Sequence, residues 1–234
     1  MSNQYFDFKQ FRIEQDRCSM KVGTDGVLLG AWFPVKPGMN VLDIGTGTGL
    51  IAIMAAQRGA GRVFAVEIDP DAAEQAHENA SNTPWKDKIR VLCADVSDFT
   101  ADSKFDRIVC NPPYFRDSLR CPDAGRNAAR HNDSLSFETL ARCSADMLSP
   151  EGLLCVVLPF DAAGDFVKCA SGVGLNLHQR TDVITAPGKD PKRSLLAFGK
   201  NVFGLHTDVL TICYSDGKET SEYIGFVKEF YLKF

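Results

Sequence analysis

The sequence has no pair of cysteines spaced as CxxC. Its eight cysteines stand at 18, 93, 110, 121, 143, 155, 169 and 213, too scattered for the ligand spacing of a structural zinc site, so no metal is expected. Several, such as Cys110 and Cys155, sit inside apolar runs, where cysteine packs as a small hydrophobe. No apolar run approaches the roughly 20 residues that cross a bilayer. The opening MSNQYFDFKQFRIEQ lacks the basic-then-apolar order of a secretory signal. The expectation is a cytoplasmic chain with no membrane partner. Internal repeats, low-complexity tracts and linkers are also missing, so residues 1–234 read as one domain with ample length for a large core.

A strong charge imbalance is lacking too. The formal net charge is −4, which by itself speaks weakly against a nucleic-acid partner; distribution matters more than the sum. Lys9, Arg12, Arg17 and Lys21 outnumber Glu14 and Asp16. Arg116, Arg120, Arg126 and Arg130 outnumber Asp117 and Asp123 in the loop 115–131. Lys189, Lys192, Arg193 and Lys200 face one acid, Asp190. Three locally basic segments on an otherwise acidic chain are either solvated surface or one basic face.

What is present is a regular alternation. MNVLDIG (39–45), RVFAVEI (62–68), IRVLCAD (89–95), FDRIVCN (105–111) and LLCVVLP (153–159) read as strands. Helical patterns follow over 49–59, 69–80, 134–148 and 161–172, the second opened by Asp69-Pro70. LNLHQRTDVIT and SLLAFGKNVF read as two closing strands. Strands apolar on both faces imply a mostly parallel sheet covered by helices on both sides, a doubly wound α/β fold of seven strands. Ligands of such sheets sit beyond the carboxyl ends of the strands, and residues 43–49, 67, 95 and 111 all fall there.

DIGTGTG (43–49) joins the first of these strands to its helix. Gly45, Gly47 and Gly49 allow a tight turn and close approach of a ligand to the backbone. The loop departs from the dinucleotide GxGxxG pattern, since Leu50 holds the third glycine's place. Glu67 ends the next strand, where a carboxylate can accept two hydrogen bonds from a ribose diol. A plain solvent-facing strand terminus is the other reading. Asp95 ends the third, where it can face the edge of an adenine ring or cap the turn that follows. In VCNPPYF (109–115), Pro112 and Pro113 make a stiff corner without backbone donors.

Loop, acid and acid on three successive strand ends resemble the class I S-adenosylmethionine-dependent methyltransferases. The resemblance implies a Rossmann-like sheet closed by an antiparallel hairpin, with S-adenosylmethionine as cofactor. It places the methionine part over Asp43, Gly45, Gly47 and Gly49, the ribose at Glu67 and the adenine at Asp95. NPPY resembles the motif of enzymes that methylate a nitrogen conjugated to a π system. Such a nitrogen is a poor nucleophile, because its lone pair is delocalised. The Asn111 side-chain oxygen and the Pro112 carbonyl can each accept one of its N–H bonds, favouring charge on nitrogen and aiming the lone pair. Tyr114 offers a stacking face for an unpaired base, or is simply a packed loop aromatic.

QDRCSMKVGTDGVLLGAW (15–32), NPPYF, ARHND (129–133) and EFYLKF (229–234) together are similar to the bacterial tRNA(Val) adenine-N6 methyltransferases, nearly end to end. That family modifies the adenine 3′ to the anticodon, so a tRNA anticodon stem-loop is the implied partner, with no obligate protein partner. By this resemblance residues 1–35 form an extension covering cofactor or substrate. Thr24 and Asp25 then lie near the amino-acid end of the cofactor, unless Thr24-Asp25-Gly26 only caps the helix GVLLGAW. Phe115, Arg116, Arg120, Arg126, Arg130, Lys192 and Arg193 become candidate RNA contacts. Arg130 and His131 have the alternative of anchoring the next helix. The nitrogen chemistry alone also fits a protein glutamine or guanine N2 of ribosomal RNA. DNA adenine is disfavoured, since no target-recognition domain is visible. A non-catalytic RNA-binding protein would leave Asn111, Pro112 and Tyr114 without purpose.

Overall fold

Apolar runs and caps set most of the element boundaries in the computed structural model, which describes residues 3–112, 135–202 and 204–234. The order is β1 (Tyr5–Asp7), β2 (Arg12–Glu14), α1 (Thr24–Trp32), β3 (Asn40–Ile44), α2 (Leu50–Gln57), β4 (Arg62–Glu67), α3 (Pro70–Ser81) and β5 (Ile89–Cys93). It continues with β6 (Phe105–Cys110), α4 (Phe137–Met147), β7 (Leu148–Pro159), α5 (Ala163–Gly172), β8 (Asn176–Ile184), β9 (Arg193–Gly199), β10 (His206–Thr211) and α6 (Ser221–Val227). Helix α3 starts where the Asp69 carboxylate accepts from the amides of Asp71 and Ala72, with Pro70 in the first helical position. Ser136 caps α4 in the same way, accepting from Thr139 N at 3.1 Å. Caps of this kind contribute about 1 kcal/mol each.

The main sheet has the order β10-β8-β9-β7-β6-β3-β4-β5. Its neighbours are parallel except around β9, which runs antiparallel to both β7 and β8. The expected mostly parallel sheet with its closing hairpin is there, and an eighth strand extends it. That strand, β10, pairs in parallel with β8 from His206 to Thr211. Helices α1, α2, α3 and α6 pack on one face and α4 and α5 on the other. Val41, Leu42, Ile108 and Val109 on the two central strands are therefore fully buried whichever way they point. Phe166 meets Phe198 edge-on at 5.4 Å in the α5 layer; burying each such ring stabilises the fold by roughly 1.5–3 kcal/mol.

The first residues are tied to the body rather than to the main sheet. β1 and β2 form a separate antiparallel hairpin. Glu14 N donates to Asn79 Oδ1, and Asn79 Nδ2 donates to the carbonyls of Glu14 and Thr48 at 2.8 and 2.9 Å. One buried amide on α3 thus fastens the hairpin and the glycine loop together. Lys9 N donates to Phe230 O, and Phe8 stacks on Tyr231. Among the basic residues near the start, Lys9 and Lys21 donate to the carbonyls of Lys228 and Asn3, whereas Arg12 pairs with Asp7, and Arg17 with Glu74 and Glu78. Those acids lie up to 61 residues away in sequence, which is why the segment looks free when read linearly.

Candidate active site

The ends of β3, β4, β5 and β6 bring the predicted residues to one rim. β3 pairs with β4 on one side and with β6 on the other. The loop after β3, Glu67 at the end of β4 and Asn111 just past β6 are consequently neighbours. The reversal of strand order lies between β3 and β6, where a crevice forms in open α/β sheets.

Gly45, Gly47 and Gly49 all adopt positive φ, at 67, 55 and 82°. At Gly47 this matters twice: the left-handed backbone disfavours a side chain, and a Cβ there would meet nothing within 4 Å. The loop backbone therefore faces open space into which a ligand can come close. Asp43 sits beneath, almost fully buried. Its Oδ2 accepts from Thr46 Oγ1 at 2.6 Å and Ala52 N at 3.1 Å, which fixes the loop and the start of α2. Oδ1 has no partner. Burial pushes this carboxyl up to about 7 against the lowering effect of the two hydrogen bonds, with the charge of Glu67 adding to the rise.

Glu67 is turned onto the loop. Its Oε2 accepts from Gly47 N at 2.8 Å, and its Oε1 accepts from the amides of Ile68 and Asp69 at 2.9 and 3.1 Å. A carboxylate has about four acceptor positions, so capacity remains for hydroxyl donors on the open side. Asp95 is exposed and its Oδ1 accepts from Ser97 N at 2.8 Å. The carboxylate caps a turn and still stands at the rim. Ile68, which the sequence reading missed, is 53% exposed directly after Glu67. An apolar side chain held in the open beside a carboxylate suits the face of a flat ring. Its position one residue past the strand-end acid was the signal for it.

Residues 15–22 run alongside this rim. Gln75 Nε2 donates to Asp16 Oδ1, and Val22 N donates to Gln15 Oε1. Cys18 is buried here, and its thiol is pushed up to about 11 by burial and then by the carboxylates of Glu67 and Asp69. Thr24, the first residue of α1, is exposed. Gly26, two residues on, packs at Leu50 and Asn111: a Cβ there would stand 3.3 Å from Leu50 Cδ2 and 3.9 Å from Asn111 Nδ2. Pro112 is buried and Asn111 half-buried.

Arg193 opens β9 at the same rim, opposite Pro159 of β7. Its Nε donates to Asp25 Oδ2 at 2.6 Å, and Lys192 beside it is exposed. Tyr114, Phe115, Arg116, Arg120, Arg126 and Arg130, with the rest of the basic loop, lie outside the described residues. Among the described residues no three His, Cys, Asp or Glu side chains are placed to hold a metal ion, and no helix is long and apolar enough to cross a membrane. An open cavity of about 510 Å³ lined by Trp32, Arg58, Phe226 and Phe230 lies at the far ends of α1 and α2, away from the rim.

Residues 18–160 match the family model of the methyltransferase small domain. The chain is 52% identical over 99% of its length, and 99% of the relative's, to the tRNA1(Val) (adenine(37)-N6)-methyltransferase of Phocaeicola vulgatus. Among solved structures it resembles an Agrobacterium tumefaciens protein described as a predicted O-methyltransferase, at 20% identity and TM-score 0.67, covering 85% of this chain and 92% of that one. It also resembles a T. thermophilus 16S rRNA N2 guanine methyltransferase in complex with AdoMet and guanosine, at 21% identity and TM-score 0.57, covering 82% of this chain and 47% of that one. Those two likenesses speak to the fold alone. With a glycine loop, a strand-end acid and the Asn111-Pro112 pair on one rim, and with the family match spanning well over half of its length, the chain belongs to the methyltransferase small-domain family.

Proposed function

We propose that the protein transfers the methyl group of S-adenosylmethionine to the exocyclic N6 amine of an adenine in tRNA, the adenine 3′ to the anticodon of tRNA(Val). The observation that carries this reading is the near-complete, 52% identical alignment with a relative of that name. The placement of Asn111 and Pro112 beside the glycine loop is consistent with it.

The residues present fit the cofactor. Open space lies at Gly47 and Ile68 is exposed after Glu67, while the unpartnered Asp43 Oδ1 is buried beneath the loop. Asp43 and the loop amides would hold the amino-acid end, Glu67 the ribose hydroxyls, and Ile68 with Asp95 the adenine. When bound, S-adenosylmethionine supplies an electrophilic methyl group on a sulfonium. The side-chain oxygen of Asn111 and the carbonyl of Pro112 accept the two N–H bonds of the target amine, which raises electron density on nitrogen and fixes its approach. No strong base is required, because the nitrogen becomes acidic only as the new bond forms. Residues 1–35 act as a cover for this rim. Residues 15–22 pass beside Glu67, and the hairpin anchors them through Asn79.

The test is methyl transfer from labelled cofactor into unmodified tRNA, followed by nucleoside analysis. Label in N6-methyladenosine of tRNA(Val) is expected. Label in protein or in guanosine would overturn the reading.

A further inference from the structure

Arg193 and Asp25 come from segments 168 residues apart in sequence. Both side chains are about one-third exposed or less, at 32% and 25%. The contact joins the first turn of α1 to the rim of the closing hairpin. Arg193 is anchored on its own side as well: it pairs across β9 with Pro159 of β7 and with Val183 of β8, and its Nη1 donates to Lys192 O at 2.9 Å. On the other side, the turn carrying Asp25 places Gly26 against Leu50, the first residue after the glycine loop, and beside the Asn111 amide. Past Asp25 the turn is held by packing, since Gly26, Val27 and Leu28 are buried, but its leading edge is not. Gly23, its N-cap residue, supplies no side-chain cap, and Gly23 and Thr24 are exposed.

We propose that the Asp25–Arg193 ion pair is a positioning clamp for methyl transfer: it holds the first turn of α1 against Asn111 and so fixes the direction of the Asn111 amide. Arg193 then serves the reaction from within the protein, and phosphate contact at this end of the rim falls to the exposed Lys189 and Lys192. Misplacing a reacting group by about 1 Å can lower a rate by about 100-fold. Loss of the clamp therefore slows transfer without weakening either ligand. The clamp rests on the methyltransferase reading given above.

The experiment compares Asp25→Asn, Arg193→Met and the double variant with the unaltered chain. It measures single-turnover transfer to a tRNA(Val) transcript, tRNA affinity against salt, S-adenosylmethionine affinity by calorimetry, and thermal unfolding. Each single variant is expected to slow transfer about 10- to 100-fold. The double variant should be no slower than the worse single one, because the two groups act as a unit. tRNA and cofactor affinities should stay within about threefold, and the salt slope should not change. Two results would overturn the clamp. One is an Asp25→Asn chain that transfers at the normal rate while Arg193→Met loses tRNA affinity and about one unit of salt slope, the signature of a phosphate contact. The other is Asp25→Asn losing cofactor affinity tenfold or more, which would make Asp25 a cofactor ligand. Absence of transfer by the unaltered chain would instead refute the activity itself, and is read in the same assay.

Discussion

The buried carboxyl of Asp43 gives a quantitative check on how the glycine loop is held. Burial lifts it from an ordinary value of 3.8 to about 7. A carboxyl raised in this way keeps its proton in the folded chain while the unfolded chain has lost it. The stability it contributes is complete below about pH 4 and is lost as pH rises through about 7. Single-site linkage with these two values gives a loss of about 3 kcal/mol between about pH 5 and pH 8.5. Asp43→Asn cannot titrate. Its oxygen can still accept from Thr46 and Ala52, while its amide replaces the unpartnered Oδ1 at a pH-independent cost of about 1–3 kcal/mol. Urea unfolding followed by tryptophan fluorescence, on both chains at both pH values, isolates the effect, because every other titrating group is common to the two. The variant should gain about 3 kcal/mol relative to the unaltered chain on going to the higher pH. Parallel profiles would show that Asp43 is not held in a dry site, and the account of the loop would fail with it.

Asn111→Ala should lower single-turnover transfer by at least about 100-fold, as for the loss of a transition-state hydrogen-bond partner, with cofactor affinity nearly unchanged in calorimetry. Gly47→Ala forces a side chain into the left-handed region at a cost of about 1–2 kcal/mol, read by urea unfolding. Its methyl group also enters the open space above the loop, so S-adenosylmethionine affinity should fall by more than that strain alone would explain. Asn79→Ala leaves Glu14 N, Glu14 O and Thr48 O without their partner. It should cost about 3 kcal/mol and speed amide exchange in residues 4–16 and 46–49 together. Exchange rising in the hairpin alone would separate the two segments.

Much of the architecture was legible because the parallel strands are buried on both faces, and burial on both faces writes continuous apolar runs. RVFAVE and FDRIVC could hardly be anything else. β10 was not legible for the opposite reason: it is an edge strand, and from His206 to Val209 its side chains are exposed, so HTDVLT carries no apolar run. β1 and β2 are three residues each, too short for a period to show. At the site, Asp43, Glu67, Asp95 and Asn111 could be placed because strand ends fix where the chain leaves the sheet. The side-chain bonds could not. That Glu67 turns toward Gly47, and that Arg193 turns toward Asp25, are consequences of pairing between distant segments. Ile68 went unnoticed because an isoleucine at the end of an apolar strand looks like core, whereas here it has just left the sheet.

The contacts between Lys9 and Phe230 and between Phe8 and Tyr231 impose an order of events on a chain made from its amino end. The hairpin is translated well before residues 230 and 231, and its aromatic patch stays uncovered until they emerge from the ribosome. A polypeptide truncated shortly before Phe230 would keep Asp43, Glu67 and Asn111 while losing the two contacts that fasten the hairpin to the body of the protein.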